Sequence, residues 1–318
     1  YDLVPYVANY YPERINKISF YAEIYNAKKI PGENENFLVN YYIESFESGV
    51  RLAKFNGFKK HTATSISIVL AEFSIQELPS GNYNLVVEAR DKTNALLVKK
   101  KTFFQRKNSI LQMDVSDISV LNVDNSFAGK INNKDSLADF IKSLRPISEE
   151  VEKVFAENQL KGADLKLMQQ YFHHFWSKRS LTNPEGTWVQ YNMQVQKVNK
   201  LFSTQVYKGY ETDRGRVWLQ YGEPENRNQS PLEPDVYSYE IWQYYKLKDQ
   251  TNKKFIFYDP SGASNNYILI HSDAKGEYFD SRWQLKLQRR SIHSSDFDQE
   301  KTINHFGGYY DENFKSPK

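Results

Sequence analysis

The sequence contains no cysteine, and this absence excludes several kinds of functional site. Without thiolates the chain has no cysteine nucleophile, no cysteine-ligated zinc and no iron–sulfur cluster. The absence does not identify the compartment, since a cysteine-free chain suits an oxidising periplasm and is also compatible with a cytosol. The chain begins at Tyr1, and we interpret this start as that of a mature or trimmed form whose targeting segment lies outside the sequence.

Long apolar runs and strong net charge are also absent. No stretch approaches the roughly 18 apolar residues of a membrane-spanning helix, so we predict no transmembrane segment. The 42 Lys and Arg residues against 39 Asp and Glu give a net charge of +3, which is too small to indicate a nucleic-acid partner. Metal and cofactor motifs are missing too, and so are the common nucleophile-elbow, phosphate-loop and dinucleotide motifs. We therefore predict no metal, no cofactor and no catalytic residue.

Aromatic residues are abundant instead. They make up 15% of the 318 residues, with 23 Tyr and 20 Phe, which favours strands and packed interfaces. The 40% hydrophobic and 25% charged residues are typical of globular proteins. The length indicates about two domains.

The N-terminal third alternates between apolar and polar residues. The apolar positions Ile18, Phe20, Ala22 and Ile24 have the period of a half-buried strand. The same period predicts five further strands, near residues 37–43, 50–58, 64–70, 83–89 and 96–104. Short strands separated by turn residues predict an all-β, immunoglobulin-like sandwich over residues 1–107.

The segment Leu78-Pro-Ser-Gly-Asn-Tyr83 adds a local signature to this region. It predicts a tyrosine corner, in which the hydroxyl of Tyr83 bonds to upstream backbone. A plain hairpin turn is the alternative.

Residues 108–135 are polar and are predicted to be a linker, with one strand at Val115–Val120. Ser136 and Asp139 then form a capping-box pattern for a helix that Pro146 ends. Three more helices are predicted from Ser148, over Asp164–Lys178 and over Pro184–Phe202. His173 and His174 are adjacent on the third helix and therefore point about 100° apart, so they cannot ligate one metal ion together.

The most informative segment follows the last long helix. Val217, Leu219 and Tyr221 alternate with Trp218 and Gln220, which predicts a strand ended by Gly222-Glu-Pro224. Three further strands are predicted over Tyr237–Tyr245, Lys254–Tyr258 and Asn266–His271. We therefore expect an α+β domain over residues 136–291, with helices first and an antiparallel sheet second, followed by a polar tail over residues 292–318.

The string Gly209-Tyr-Glu-Thr-Asp213, followed by Arg214-Gly-Arg216, resembles the signature of the GWxTD-domain proteins. The later Tyr221-Gly-Glu-Pro224 and Tyr239-Glu-Ile-Trp242 agree, and the likeness spans about Leu137 to Arg290. Tyr210 stands where the family name has Trp. The resemblance implies an exported cell-envelope protein of a Gram-negative bacterium, without an established activity or cofactor. Some relatives are lipid-anchored, and this chain has no cysteine for such an anchor.

Two interpretations of the charged residues in this string are open. Asp213, Arg214 and Arg216 could hold a carboxylate or phosphate through the arginines. The structural interpretation is that Asp213 caps a turn and pairs with an arginine at the helix-to-sheet junction, and we favour it. A structural role is expected for the motif residues Gly209, Tyr210, Thr212, Asp213, Arg214, Gly215, Arg216, Tyr221, Gly222, Pro224 and Trp242.

His271 is the best single acid–base candidate, with Asp259 and Asp273 as conceivable partners. Glu223 and Glu225 flank Pro224 and could mimic paired catalytic carboxylates, but we favour solvated turn residues.

These observations predict a non-catalytic interaction or scaffold protein, periplasmic or associated with the outer membrane, as a subunit of an envelope protein assembly. Its partners would be proteins, and any membrane association would come through a partner or a lipid anchor outside this chain. The alternative is an envelope glycan- or peptide-binding protein or hydrolase that uses the Asp213, Arg216 and His271 region. A cytosolic two-domain protein is a third possibility.

Overall fold

The computed structural model describes residues 6–27, 32, 35–108, 113, 115–230, 236–262, 264–288 and 309–315. Contacts divide the chain into two compact units. The first comprises Tyr1–Asn122 with Ser148–Gln170, and the second comprises Val123–Ile147 with Tyr171–Lys318. The domain boundaries expected from the sequence stay predictions.

The first unit is rich in β-strands. Its strands are β1 (Tyr10–Tyr11), β2 (Lys17–Tyr25), β3 (Asn36–Ser45), β4 (Arg51–Thr62), β5 (Ile66–Ser74), β6 (Gly81–Arg90) and β7 (Leu96–Arg106). Five of them form one sheet in the order β1-β7-β6-β3-β4, and β2 pairs with β5 in a second sheet. All pairs are antiparallel except β1 with β7.

The alternating pattern places one face of each strand in a shared core. Ile18 of the two-stranded sheet packs in one cluster with Ile43, Leu85 and Phe104 of the five-stranded sheet. Burying both inner faces together is what makes two such sheets stable in water. The expected strands of this region are confirmed.

The turn before β6 has the expected tyrosine hydrogen bond. The hydroxyl of Tyr83 donates to the carbonyl oxygen of Pro79 at 3.1 Å. Gly81 allows this approach, because a Cβ at that position would lie 3.1 Å from the same hydroxyl oxygen.

Helices follow the strands. They are α1 (Val115–Ser119), α2 (Lys134–Ser143), α3 (Glu150–Gln159), α4 (Leu165–Arg179), α5 (Pro184–Phe202), α6 (Asp213–Tyr221), α7 (Trp283–Leu287) and α8 (Tyr310–Lys315). Short 3-10 turns occupy Arg145–Ile147 and Gly209–Glu211. None of the helices in the described part of the chain combines the length and apolar character that crossing a membrane requires.

Helix α5 has the bounds that the sequence predicts. Pro184 occupies its first turn, and the Asn183 side chain accepts a hydrogen bond from the Gly186 amide at 2.9 Å. Proline at this position costs nothing, because its missing N–H would have no helical partner.

Two predictions for the helical region are wrong, one on where a helix begins and one on a strand. Helix α2 is capped by Asn133, whose side chain accepts from the Ser136 amide at 2.8 Å, so the expected cap at Ser136 is wrong. The strand expected at Val115–Val120 is also wrong, because Val115–Ser119 forms α1. Only Ile118 of this short helix is buried, which a single turn achieves without a neighbouring strand.

The second unit contains a four-stranded antiparallel sheet. Its strands are β8 (Asn226–Ser230), β9 (Ser238–Leu247), β10 (Gln250–Asp259) and β11 (Ile268–Ser272), in the order β11-β10-β9-β8. The three strands expected here are confirmed. Strand β8 was missed, because its sequence Asn-Arg-Asn-Gln-Ser has no apolar residue to alternate.

The strand expected at Val217–Tyr221 is wrong, because these residues belong to α6. Both Val217 and its neighbour Trp218 are buried, which a strand with one buried face cannot provide. Arg214, Val217, Trp218 and Tyr221 are instead spaced as one helical face. Gly222, with φ of 93°, ends the helix in a conformation that favours glycine.

Both faces of the second sheet are covered. Trp242, Phe255 and Phe257 face a cluster that includes residues of α5 and α6. Ile241, Ile256 and Ile270 face the opposite side, where α7 and α8 contribute Trp283 and Tyr310. The motif residue Trp242 lies on the first of these faces, and the predicted histidine, His271, lies on the second.

Candidate functional site

The motif begins with a close approach between backbones. Gly209 lies so near α5 that a Cβ there would be 2.2 Å from the Val198 carbonyl oxygen. Gly215, in the first turns of α6, is tighter still, since its Cβ would be 1.8 Å from the carbonyl oxygen of Gly209. The two glycines therefore permit α5, the 3-10 turn and α6 to pack at backbone contact.

Thr212 begins helix α6. Its hydroxyl donates to the Gly209 carbonyl at 2.7 Å and accepts from the Gly215 amide at 3.1 Å. One buried hydroxyl thus closes the preceding turn and satisfies an amide at the helix start, where no intrahelical acceptor exists. The sequence assigned the capping role to Asp213, and that assignment is wrong.

Asp213 joins α6 to the sheet. Its Oδ2 atom accepts a hydrogen bond from the backbone N–H of Leu269 at 2.8 Å, at the edge strand β11. Within the described residues the carboxylate forms no ion pair with an arginine, because both neighbouring arginines contact other acids. The expected pairing is therefore wrong, although the residue does connect helix and sheet.

Arg214 and Glu240 form a buried ion pair. Nη1 of Arg214 lies 2.7 Å from Oε1 of Glu240, and each side chain is only 3% exposed. Nη2 of Arg214 donates to the carbonyl and the side-chain oxygens of Asn265 at 2.7 and 2.8 Å. The guanidinium also lies 4.2 Å from the ring centre of Tyr267. Burial lowers the pKa of Arg214, and the charge of Glu240 opposes this shift.

Glu240 has several further donors. Its Oε2 accepts from Nε1 of Trp242 at 2.8 Å and lies 3.1 Å from Nη2 of Arg227. Gln229 donates to Oε1 at 3.1 Å. A buried carboxylate with this many donors is fixed in position.

Arg216 forms a second ion pair, and this one is bidentate. Its Nη1 and Nη2 atoms lie 2.9 and 2.8 Å from the two oxygens of Glu277. Tyr221, one helical turn and a half further on, donates its hydroxyl to the same carboxylate at 2.7 Å. The pair fixes α6 to the segment after β11.

Tyr210 is buried, with 5% of its surface exposed. Its hydroxyl donates to Oδ1 of Asp139 on α2 at 2.6 Å, and Nζ of Lys208 lies 2.5 Å from the same oxygen. Burial and the hydrogen bond to Asp139 raise the pKa of Tyr210. The ring of Tyr210 is therefore part of the hydrophobic core, and the hydrogen bond from its hydroxyl connects the motif to α2.

The remaining motif residues also contact the interior. Trp242 is fully buried, with ring centres 4.8 Å from Phe257 and 6.1 Å from Trp218. Pro224 is buried, and the carbonyl of Gly222 accepts from the Tyr244 hydroxyl at 2.8 Å.

The two glutamates beside Pro224 do not form a carboxylate pair facing one site. Glu223 is exposed and pairs with Lys197 at 2.7 Å. Glu225 is also exposed, and it accepts from the Tyr245 amide at 3.2 Å.

His271 lies on the opposite face of the sheet from Arg214. It is 4% exposed and pairs across β10 with Ile256, and its ring centre is 5.0 Å from Phe279 and 6.0 Å from Trp283. Its Nδ1 lies 2.7 Å from the carbonyl oxygen of Asp280. Burial lowers the pKa of His271, so its neutral form is favoured.

Neither of the carboxylates considered as partners of His271 is hydrogen-bonded to it. Asp259 accepts from the amide and hydroxyl of Ser261 at 2.9 and 2.7 Å. Asp273 accepts from the Lys254 amide at 2.6 Å. The acid–base role of His271 stays a prediction, and the structure does not bring this residue to the Asp213–Arg216 cluster.

Sequence reasoning missed Glu240, Glu277 and Asn265, the groups that actually contact the arginines. Glu240 could have been identified from the sequence, because the alternating pattern of strand β9 puts it on the same face as Trp242 and Tyr244. An acid on an otherwise aromatic inner face requires a buried cation. Glu277 and Asn265 lie in loops and have no such periodic signal.

Metal ligation finds no support in the described ranges, where no group of three or more His, Asp or Glu side chains could hold an ion. His173 and His174 are both half-buried. Nε2 of His173 lies 3.4 Å from Oγ of Ser177.

A comparison with family models matches residues 97–288 to the GWxTD domain, about three fifths of the chain. A search of curated proteins gives no match. The matched range includes the glycine contacts, the Thr212 cap and both arginine pairs described above. The chain therefore belongs to the GWxTD domain family.

Proposed function

We propose that this protein is a non-catalytic interaction or scaffold subunit of a cell-envelope or outer-membrane protein assembly, exported to the periplasm. We also propose that its N-terminal strands are an immunoglobulin-like sandwich. The shared core of the two sheets and the hydrogen bond from Tyr83 to Pro79 support this second point.

The observation that carries the interaction proposal is an apolar face on the two-stranded sheet. Its members share the outward face of β2 and β5, and we call them the outer patch: Tyr21, Tyr25, Ile66, Ile68 and Leu70. Each is between 49% and 62% exposed.

Strand register makes this patch continuous. Tyr21 is paired with Leu70, and Tyr25 with Ile66. Glu23 lies between the two tyrosines and accepts a hydrogen bond from each hydroxyl. The carboxylate between the two tyrosines is thus occupied by their hydroxyls.

A solvated sheet face normally carries polar residues, and contiguous exposed apolar surface marks interaction sites. Tyrosines beside aliphatic side chains are also the composition that protein interfaces favour. The outer patch therefore supports a protein partner over a small-molecule substrate.

The motif geometry supports the non-catalytic part of the proposal. Arg214 and Arg216 each contact a carboxylate of the protein itself, at 2.7 and 2.8 Å. A site for envelope glycan or peptide hydrolysis built on Asp213, Arg216 and His271 would require these groups on one side of the sheet.

The test is crosslinking mass spectrometry in the native envelope of the producing cells, comparing wild type with Ile68→Lys and Leu70→Lys. We expect reproducible crosslinks from the first unit to one protein partner, and their loss in both variants. Leu181→Lys is the matched control, because Leu181 is 91% exposed and lies outside the patch. If all variants recovered the partner equally, the outer patch would not be its binding surface. If the wild type formed no crosslinks to any envelope protein, the proposed interaction function would be contradicted.

A further inference from the structure

The first unit contains a cavity of about 480 Å³ at one end of the five-stranded sheet. Its walls come from the start of β6, the end of β7 and the first turns of α3, all within the same unit. This volume lies within the roughly 300–1,000 Å³ of small-molecule sites. None of its lining residues belongs to the outer patch or to the GWxTD motif.

One charged side chain at this cavity has an unusual environment. Arg106 is only 3% exposed, and its Nη1 donates to the carbonyl oxygens of Pro12 and Ile15, both at 2.7 Å. Its Nε atom has no hydrogen-bond partner among the described residues. No carboxylate forms an ion pair with it in that part of the chain.

A buried guanidinium is costly, since desolvation penalises its charge, and the nearby carboxylate of Glu13 offsets this cost only in part. Burial accordingly lowers the pKa of Arg106. An anion bound in the cavity would offset this cost, so the environment of Arg106 favours a ligand with negative charge.

Two amides beside Arg106 have fixed orientations. Gln105 donates to Oδ1 of Asn82 at 2.9 Å, and Asn82 donates to Oε1 of Glu47 at 2.9 Å. Each amide NH₂ group donates one of its two hydrogens in these hydrogen bonds, and its second hydrogen can be donated to a ligand. Hydroxyl groups, which both donate and accept, are the natural complement of such amides.

The charges around the cavity limit the ligand further. Arg106, Lys107 and Lys153 are positive, and Glu47 and Glu150 are negative. An excess of one positive charge matches a single carboxylate better than a phosphate monoester, which carries nearly two negative charges.

We propose that this cavity binds a hexuronic-acid sugar, with the carboxylate near Arg106 and the ring hydroxyls at the amides of Asn82 and Gln105. The exposed ring of Tyr10 at the cavity wall offers an apolar face to the sugar ring. The site belongs to the first unit and does not depend on a protein partner at the outer patch.

The test uses the full chain and titrates it with glucuronate, glucose and acetate, followed by saturation-transfer NMR and calorimetry. Glucuronate should bind at least about tenfold more tightly than glucose, because its carboxylate adds a charge-assisted contact that glucose lacks. Acetate, which has the carboxylate without the hydroxyls, should bind more weakly than glucuronate.

Variants assign the binding to the cavity. Gln105→Leu keeps the side-chain volume and removes an amide, and it should weaken glucuronate binding about fivefold or more. Lys60→Met on β4 is the control, at the sheet edge opposite β1 and β7, and it should bind as wild type does. Arg106→Lys should reduce the preference for glucuronate over glucose, provided its melting curve matches wild type.

Three results would overturn the proposal: no glucuronate binding by the wild type, equal affinity for glucose, or unchanged binding by Gln105→Leu. Because Gln105→Leu leaves the hydrogen bonds from Arg106 to Pro12 and Ile15 intact, the test does not depend on whether the arginine variant folds.

Discussion

Arg214 of helix α6 and Glu240 of strand β9 lie 2.7 Å apart with both side chains 3% exposed, so the GWxTD motif is attached to its sheet by a fully buried ion pair. The glutamate also contacts Arg227 and Trp242. Removing Glu240 leaves the buried charge of Arg214 without its carboxylate, and removing Arg214 leaves Glu240 with the partly exposed Arg227 in place of a buried partner. The pair therefore makes the position of α6 dependent on the inner face of the sheet.

A double-mutant cycle tests this dependence. We expect Arg214→Met and Glu240→Gln each to lower the free energy of unfolding by about 3–5 kcal/mol. The double variant should lose clearly less than the sum, because neither charge is then left alone. The exposed pair Lys197–Glu223 is the control and should show a coupling below about 1 kcal/mol. Additive losses in the buried pair would contradict this account.

The glycine contact between α6 and the preceding turn gives a second prediction. Gly215→Ala should lower the free energy of unfolding by about 1–3 kcal/mol or more, because its Cβ would meet the Gly209 carbonyl at 1.8 Å. Backbone cannot move aside as a flexible side chain can. Thermal melting followed by tryptophan fluorescence measures the loss.

The control for this substitution is Gly186→Ala in α5, where the atoms nearest to the new Cβ would belong to the side chain of Asn183 and not to backbone. There a helix-propensity gain of about 1 kcal/mol offsets a weakened cap of similar size. A melting temperature equally lowered in both variants would show that the Gly209 contact has no special importance.

The third prediction concerns Tyr210, the residue at the Trp position of the family signature. Tyr210→Phe keeps the buried ring but removes the hydroxyl that donates to Asp139 at 2.6 Å. We expect a loss of about 0.5–1.5 kcal/mol, as for one buried hydrogen bond, with Lys208 still paired to Asp139. Urea unfolding measures it, and Tyr207→Phe, at a side chain 48% exposed, should be neutral. A neutral Tyr210→Phe would mean that the ring alone anchors the turn.

Helices α5 and α6 show how far the sequence predicts this fold. Both ends of α5 follow from local chemistry, since Asn183 and Pro184 start it and its apolar spacing continues to Phe202. Helix α6 has only nine residues, and alternating apolar positions there fit a strand as well as a helix. Its identity is decided by the Thr212 cap and by contacts from distant segments, which a local pattern does not contain.

The candidate site, too, could be predicted from the sequence only in part. The sequence identifies Arg214 and Arg216 as charged residues in a structural motif, but their acids are 26 and 61 positions away. The position of His271 also depends on tertiary structure, because the irregularity in the pairing of β10 with β11 sets which face this side chain occupies. Local patterns predict the elements, whereas pairing between elements determines which charges meet.

The fourth prediction is a pH dependence in the first unit. Glu88 is 4% exposed, and burial alone would raise its pKa. Hydrogen bonds from Tyr42, Arg90 and Lys99, at 2.7, 2.8 and 3.1 Å, outweigh burial and lower the pKa of Glu88 from 4.5 to about 2. A lowered folded-state pKa stabilises the fold fully above the unfolded value of 4.5, and that stabilisation is lost as the pH falls towards 2.

Glu88→Gln should therefore be less stable than wild type above pH 4.5, and the difference should shrink steadily as the pH falls towards about 2. Urea unfolding across this range, followed by circular dichroism of the strands, measures the difference. Glu72→Gln is the matched control, because Glu72 forms an exposed pair with Lys17 at 3.2 Å, with side chains 58% and 66% exposed. Its effect should be small at every pH, since exposed pairs contribute below about 1 kcal/mol. A Glu88→Gln deficit that stayed constant from pH 4.5 downwards would show that the carboxylate stabilises the sheet through packing and not through its charge.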